Sequence, residues 1–161
     1  MAVFSRSLDD ITSRVPEIVE VARALPLRTA VLDGEAIALR PDGRPRPFQR
    51  TGARIGSRVD VDKARRDTPL STFVFDLLHL DGRDVLAEPA AHRFTMLAGA
   101  LPGELVVPRL VTGDPEAARA FLADALAHGH EGVVAKSLAA AYDAGRRGTG
   151  WLKIKPTHTI D

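Results

Sequence analysis

The stretch Glu131-Gly132-Val133-Val134-Ala135-Lys136, followed after a Gly/Arg-rich loop by Trp151-Leu152-Lys153-Ile154-Lys155-Pro156, is the part of the chain that the rest is organised around. Read as two strands, its side chains alternate faces with period two. Glu131, Val133 and Ala135 then share one face. Trp151, Lys153 and Lys155 share a face of the second strand, while Leu152 and Ile154 are expected to turn into a core. Two ammonium groups about 7 Å apart on one strand face make a poor core and a good clamp for a polyphosphate. Lysines that blunt a solvent-facing edge strand are the other reading of the same pattern. Of 22 basic residues only Lys63, Lys136, Lys153 and Lys155 are lysines, and three of these lie in this stretch.

A chain of 161 residues fits one domain and buries roughly 70% of its unfolded surface. With 45% apolar and 27% charged residues it has ordinary globular composition. A net charge of +1 gives no global field toward nucleic acid, so any such contact rests on local arginines. Without cysteine there are no disulfides and no thiolate metal sites. The start is not a signal peptide and no apolar run is long enough for a membrane span, so a soluble cytoplasmic protein is expected.

Outward from the key stretch, Val3 to Arg6 reads as the end of a strand. Val15-Pro16 opens a helix that Pro26 closes. Thr29 to Arg40 reads as a strand with Val31, Asp33, Glu35, Ile37 and Leu39 on one face. Two carboxylates in that apolar row are costly unless they bind something. Phe48 to Arg66 is arginine-rich (Arg50, Arg54, Arg58, Arg65, Arg66), and Gly52 and Gly56 weaken its helical spacing, so it reads as a mobile helix or loop. Thr72 to Leu80 is a strand ended by an Asp81-Gly82 turn. Pro89 opens a helix to about Ala100, Glu104 to Thr112 reads as a strand, and Asp114-Pro115-Glu116 starts a helix to Ala127 that Gly129 ends. His128 and His130 read as surface residues.

About six strands and three helices, with strands mostly adjacent in sequence, predict an α+β fold with a mainly antiparallel sheet flanked by helices. No glycine-rich phosphate loop of either standard type is present.

Five segments in this order resemble the nucleotidyltransferase (adenylation) domain of ATP-dependent DNA ligases, an ATP-grasp-like fold. They are Phe4-Ser5-Arg6, Leu32-Asp33-Gly34-Glu35, the run Phe73-Val74-Phe75-Asp76-Leu77-Leu78-His79-Leu80-Asp81-Gly82, Glu131 to Lys136, and Trp151 to Pro156. The resemblance implies ATP and Mg²⁺ as cofactors and nicked duplex DNA as partner. It implies that Phe75 stacks on adenine, that Glu35 sits by the ribose and the metal, and that Glu131 helps to hold Mg²⁺. Lys153 and Lys155 would hold the ATP phosphates and stabilise the departing pyrophosphate. Arg6 would contact a DNA phosphate or the 5′-phosphate at the nick. For Lys136, contact with a nucleotide or DNA phosphate and plain solvent exposure both remain open. The arginines from Arg50 to Arg66 either grip backbone phosphates or form a solvated basic face.

The family's chemistry starts at a lysine in a Lys-x-Asp-Gly motif, which takes AMP from ATP and passes it to a 5′-phosphate. No such motif occurs here; Lys63 is followed by Ala-Arg-Arg. The expectation is therefore a partial adenylation domain over 1–156, truncated at both ends, and a linker stub at 157–161 toward an absent OB-fold domain. An upstream segment or separate chain would carry the nucleophile, the chain alone would be inactive, and the full domain would be monomeric. A truncated sheet would also leave an unpaired edge and exposed apolar surface. The alternatives are a non-catalytic ATP- or nick-binding module and a related RNA ligase or capping-type nucleotidyltransferase; Pro47-Phe48-Gln49 and the Phe75-Asp76-Leu77 segment favour DNA ligase over the latter.

Overall fold

Strands β1 (Ala30–Ala38) and β2 (Leu70–Leu80) pair antiparallel along their whole length, from Ala30 opposite Leu80 to Ala38 opposite Leu70. The structure, a computed structural model, describes residues 1–145 and 150–156. Part of the Gly/Arg-rich loop and the expected stub at 157–161 lie outside the described residues. β3 (Arg83–Asp84) completes the sheet through a tight hairpin at Asp81 and Gly82, with φ 47° and 93°. Positive φ at both central residues matches the right-handed twist of the strands, as the Asp-Gly pair predicts.

The β1–β2 ladder slips twice, between Val31 and Leu32 and between Asp33 and Gly34, where it passes over Leu78 and Phe75 of β2. Such bulges bend the strand and re-aim side chains. They break the expected alternation: Val74, Asp76 and Leu77 are all buried, while Val31 and Glu35 are exposed. The single apolar row through Val31, Asp33, Glu35, Ile37 and Leu39 is thus corrected to two short half-buried runs. Gly34 lies beside the second slip; a Cβ there would stand 2.6 Å from the Phe73 carbonyl oxygen, so no side chain fits.

α4 (Ala90–Ala100) packs on β2 and closes one core of Val74, Leu77, Val85, Leu97 and Leu101. Leu77, Val85 and Leu97 are wholly buried, each worth about 1.5–3 kcal/mol of transfer free energy. A second core joins Ile11, Val15, Ala38 and Leu70 beneath α1 (Pro16–Arg23), which starts at Pro16 as expected.

The arginine-rich segment is corrected to two helices, α2 (Phe48–Gly56) and α3 (Val61–Asp67). A tertiary contact overrides the glycines: Arg54, nearly fully buried, donates to both oxygens of Glu17 at 2.8 and 3.0 Å and to the Arg14 carbonyl at 2.7 Å. This fastens α2 to α1. Arg65 likewise reaches Glu20 at 2.7 Å.

Two expected strands are absent from the described residues. Phe4 makes one bridge to Asp10, because the chain doubles back through Leu8 at φ 64°. Residues 104–112 contain a 3-10 turn (Gly103–Leu105) and one parallel bridge from Val106 to Val74; Pro108 offers no N–H to extend it. α5 (Pro115–Ala127) matches its expected bounds, with the Asp114 carboxylate accepting from the Glu116 N–H at 3.0 Å and Gly129 at φ 85°.

β4 (Val133–Lys136) and β5 (Trp151–Ile154) form a separate antiparallel ribbon, with Lys136 opposite Trp151 and Val134 opposite Lys153. The expectation that Leu152 and Ile154 enter a core is wrong: they are 62% and 41% exposed. The ribbon turns its other face, through Lys136 and Trp151, toward β2. Gly132, at φ 150°, lets the strands meet, since a Cβ there would lie 2.1 Å from the Ile154 carbonyl oxygen. The five strands and five α-helices of the described residues make the expected α+β fold with antiparallel sheets.

Candidate functional site

The β2 bulge turns Phe75 toward the ribbon, and β4 and β5 bring Lys136 and Trp151 to meet it. The Lys136 ammonium lies 3.6 Å from the Trp151 ring centre, 4.5 Å from that of Phe75 and 5.6 Å from that of Phe94. Trp151 stands edge-on to both Phe75, at 6.2 Å, and Tyr142, at 5.7 Å. The lysine side chain is only 14% exposed, and its nitrogen has no hydrogen-bond partner among the described residues. Burial pushes its pKa down to about 8, against the opposing pull of Asp76 and Asp33. An ammonium held on ring faces without an acceptor is an incomplete arrangement, because aromatic quadrupoles only partly replace water.

Beneath it lies a fixed polar base. Asp76, fully buried, receives Arg93 Nε at 2.8 Å and Nη2 at 3.1 Å, and the Leu77 N–H at 3.0 Å. Lys136 stands 3.8 Å away, within ionic range and beyond hydrogen-bond length. Arg93 also donates to the Glu88 and Ala140 carbonyls, tying the 138–142 segment to α4. The Tyr142 hydroxyl donates to Asp33 at 2.6 Å; burial and that carboxylate hold the phenol well above its ordinary pKa. Arg109 lies 3.8 Å from the Phe94 ring centre, and burial lowers its pKa. The site is a cationic cluster among aromatic rings, anchored by the two carboxylates Asp76 and Asp33.

Of the seven residues singled out in the sequence, Phe75 and Lys136 come together here, and solvent exposure of Lys136 is overturned by its burial. Lys153 is exposed on the ribbon face shared by Lys136 and Trp151, one position along. Lys155 and Glu131 form an ion pair with each other, which holds the Glu131 carboxyl below its usual range. Arg6 and Glu35 are exposed, with no side-chain partner among the described residues. The described residues gather no group of three His, Asp or Glu able to hold a metal. Glu131 therefore stands as a single carboxylate, a donor of the right chemistry for a hard cation.

The sequence reading missed the Asp76–Arg93 pair, Tyr142 and Arg109. Asp76 carried a signal, as one acid in an aliphatic strand; the other three had none, because their partners Asp76, Asp33 and Phe94 are 15 or more residues away.

The comparisons bear on the sequence and the fold as a whole. The model of the ATP dependent DNA ligase domain matches residues 1–155. A probable DNA ligase of Anaeromyxobacter sp. (strain Fw109-5) is 58% identical over 159 residues, and DNA ligase B of Mycobacterium tuberculosis (strain ATCC 25618 / H37Rv) is 55% identical. Each alignment covers 99% of this chain and 31% of the relative, so the chain spans about a third of the length of these relatives. Among solved structures, mycobacterial DNA ligase D complexed with ATP and MES superposes at a TM-score of 0.71 with 34% identity, covering 96% of this chain and 47% of that one. A Lig E DNA ligase shares the fold at a TM-score of 0.61 and 20% identity. On sequence and on fold together, the chain belongs to the ATP dependent DNA ligase domain family.

Proposed function

We propose that this chain forms the nucleotide-gripping part of the adenylation domain of an ATP-dependent DNA ligase, which seals nicks in duplex DNA through enzyme–AMP and DNA–adenylate intermediates. The buried Lys136 ammonium, which has no hydrogen-bond acceptor among the described residues, is the observation that carries the reading. A nucleotide phosphate would supply the missing oxygen, and the Phe75 and Trp151 rings beside it offer a face to the base.

In this reading Phe75 stacks on adenine and Lys136 binds the phosphates nearest the base. Lys153 and Lys155 grip the outer phosphates and stabilise charge on departing pyrophosphate. Glu35 faces the ribose, and Arg6 meets a DNA phosphate at the nick. Mg²⁺, which binds through one or two carboxylates plus substrate phosphates, would neutralise phosphate charge, with Glu131 and Glu35 as its carboxylates. Residues 1–156 are then part of an adenylation domain, and 157–161 lead toward an OB-fold domain. The nucleophile of the Lys-x-Asp-Gly motif, absent from this sequence, comes from an upstream segment or a second chain. In this reading, acting on nicked DNA, the protein would work in the cytoplasm. Among the described residues no helix is long and apolar enough to cross a membrane.

Calorimetry of the full chain with ATP and Mg²⁺ tests this. ATP binds, and Phe75→Ala weakens binding by about 5- to 150-fold, equivalent to the roughly 1–3 kcal/mol of base–aromatic stacking. Intact mass shows no gain of AMP. No binding, or unchanged binding by Phe75→Ala, overturns the reading.

A further inference from the structure

Between the two slips of the β1–β2 ladder, Asp33 stands directly opposite Asp76. Like charges at such a position repel, because opposed side chains share one face of the sheet. Each carboxylate is held by a different donor. Arg93 bonds both oxygens of Asp76, at 2.8 and 3.1 Å, and the Tyr142 hydroxyl donates to Asp33 at 2.6 Å. The Lys136 ammonium lies 3.8 Å from Asp76 and is hydrogen-bonded to neither.

A buried ammonium near two carboxylates gains by closing on one of them. How the carboxylates are occupied explains why Lys136 does not. Asp76 is taken by Arg93 and by the Leu77 N–H. Among the described residues the side chain of Asp33 has only the phenol. That phenol arrives on a fixed strap. The Ala90 N–H donates to the Ala140 carbonyl at 2.9 Å, the Ala91 N–H to the Leu138 carbonyl at 3.0 Å and the Tyr142 N–H to the Leu86 carbonyl at 2.8 Å. The Tyr142 ring stands edge-on to Trp151, with the Arg93 guanidinium 5.9 Å from its centre. The strap follows β4 directly, so the strand that presents Lys136 leads into the group that occupies the competing carboxylate.

We propose that Tyr142 is a positioning residue: by donating its hydroxyl to Asp33 it keeps that carboxylate off Lys136, so that the ammonium stays unpaired until a nucleotide phosphate reaches it. The inference rests on the reading that Lys136 binds the phosphates of ATP. Four charged groups act on Lys136: Asp76 and Asp33 favour its charged form, and Arg109 and Arg93 oppose it. Removing the Tyr142 hydroxyl leaves that set of charges unchanged and frees Asp33 to turn to the ammonium. Removing the Asp33 carboxylate takes the competitor away. The two ends of one hydrogen bond thus have opposite effects on the lysine, whereas loss of a merely structural contact acts the same way from either end.

The test is an NMR pH titration of Lys136 in the full ¹³C-methylated chain without nucleotide, alongside ATP calorimetry. In the unaltered chain Lys136 titrates near pH 8. Tyr142→Phe raises that pKa by about 1–3 units, the effect of an opposite charge brought close, and Asp33→Asn lowers it. Tyr142→Phe also weakens ATP binding by about tenfold or more, the equivalent of at least one such unit. Its loss of ATP affinity with rising pH begins at a higher pH than in the unaltered chain. The double variant Tyr142→Phe/Asp33→Asn recovers the affinity and brings the pKa back down. Should Tyr142→Phe not fold, Asp33→Asn decides alone, and a Lys136 pKa that stays or rises overturns the proposal. A pKa that is unchanged or lowered in Tyr142→Phe, or that moves the same way in both single variants, also overturns it; the nucleotide reading then stands if the unaltered chain binds ATP. Opposite shifts in a chain that binds no ATP overturn the nucleotide reading and leave Tyr142 as the residue that keeps Lys136 unpaired.

Discussion

Replacing Arg93 with Met removes the cation under the pocket and leaves its carboxylate in place. Both partners are fully buried, and Arg93 gives Asp76 two charge-assisted hydrogen bonds, at 2.8 and 3.1 Å. In the variant Asp76 retains the Leu77 N–H and has Lys136 at 3.8 Å. Breaking a buried pair by removing one side costs about 3–5 kcal/mol, because the remaining charge keeps its desolvation penalty. For a chain of this size that lowers Tm by roughly 6–20 °C. Urea denaturation at pH 7 measures it. Lys136 then becomes the main neighbour of Asp76, so its pKa moves back up toward the ordinary lysine range. The double variant Arg93→Met/Asp76→Leu leaves no bare carboxylate and costs less than the sum of the two single changes. A loss below about 1 kcal/mol for Arg93→Met, or strictly additive costs, would refute the assignment of Asp76–Arg93 as the buried base of the site.

Other consequences follow from the same geometry. Free Lys136 loses its proton near pH 8, so ATP affinity is full below that pH and falls as pH rises above it, which calorimetry between pH 7 and 9.5 reads directly. The free chain shows the opposite trend: between about pH 8 and the usual lysine pKa the unfolded state binds more protons, so this group makes stability rise with pH. Gly132→Ala forces the ribbon apart against the Ile154 carbonyl and costs at least about 2 kcal/mol in urea denaturation, together with ATP binding. Arg54→Met strands Glu17 and costs about 3 kcal/mol in the same assay, while leaving ATP affinity intact because α2 lies outside the pocket. Lys155→Met leaves the melting temperature in place, since its pair with Glu131 is exposed, and weakens ATP binding.

What could be read from the sequence was whatever the chain encodes locally. α5 is written in Asp114, Pro115 and Gly129, and the β2–β3 hairpin in Asp81-Gly82, because caps and tight turns act within a few residues. The β1–β2 pairing was visible as two apolar runs, but its bulges at Phe75 and Leu78 were not, since register is settled between strands. α2 was misjudged for the same reason. Its helix former is Glu17, far away in sequence, which gives buried Arg54 a partner and outweighs Gly52 and Gly56. At the site, Phe75 and Lys136 stood out as an aromatic and a rare lysine in patterned strands. Arg93 and Tyr142 look ordinary in sequence and gain meaning only when the fold brings Asp76 and Asp33 to them.

With only four lysines, the chain allows each ammonium to be followed separately by NMR after reductive ¹³C-methylation. The decisive measurement is a pH titration of these signals with and without ATP. One resonance, shifted by the rings of Phe75 and Trp151 and removed by Lys136→Arg, should titrate near pH 8 in the free chain and move upward by a unit or more once ATP supplies phosphate oxygens. Four lysines that all titrate in the ordinary range, and stay there when ATP is added, would contradict a buried phosphate-seeking lysine at the centre of this domain.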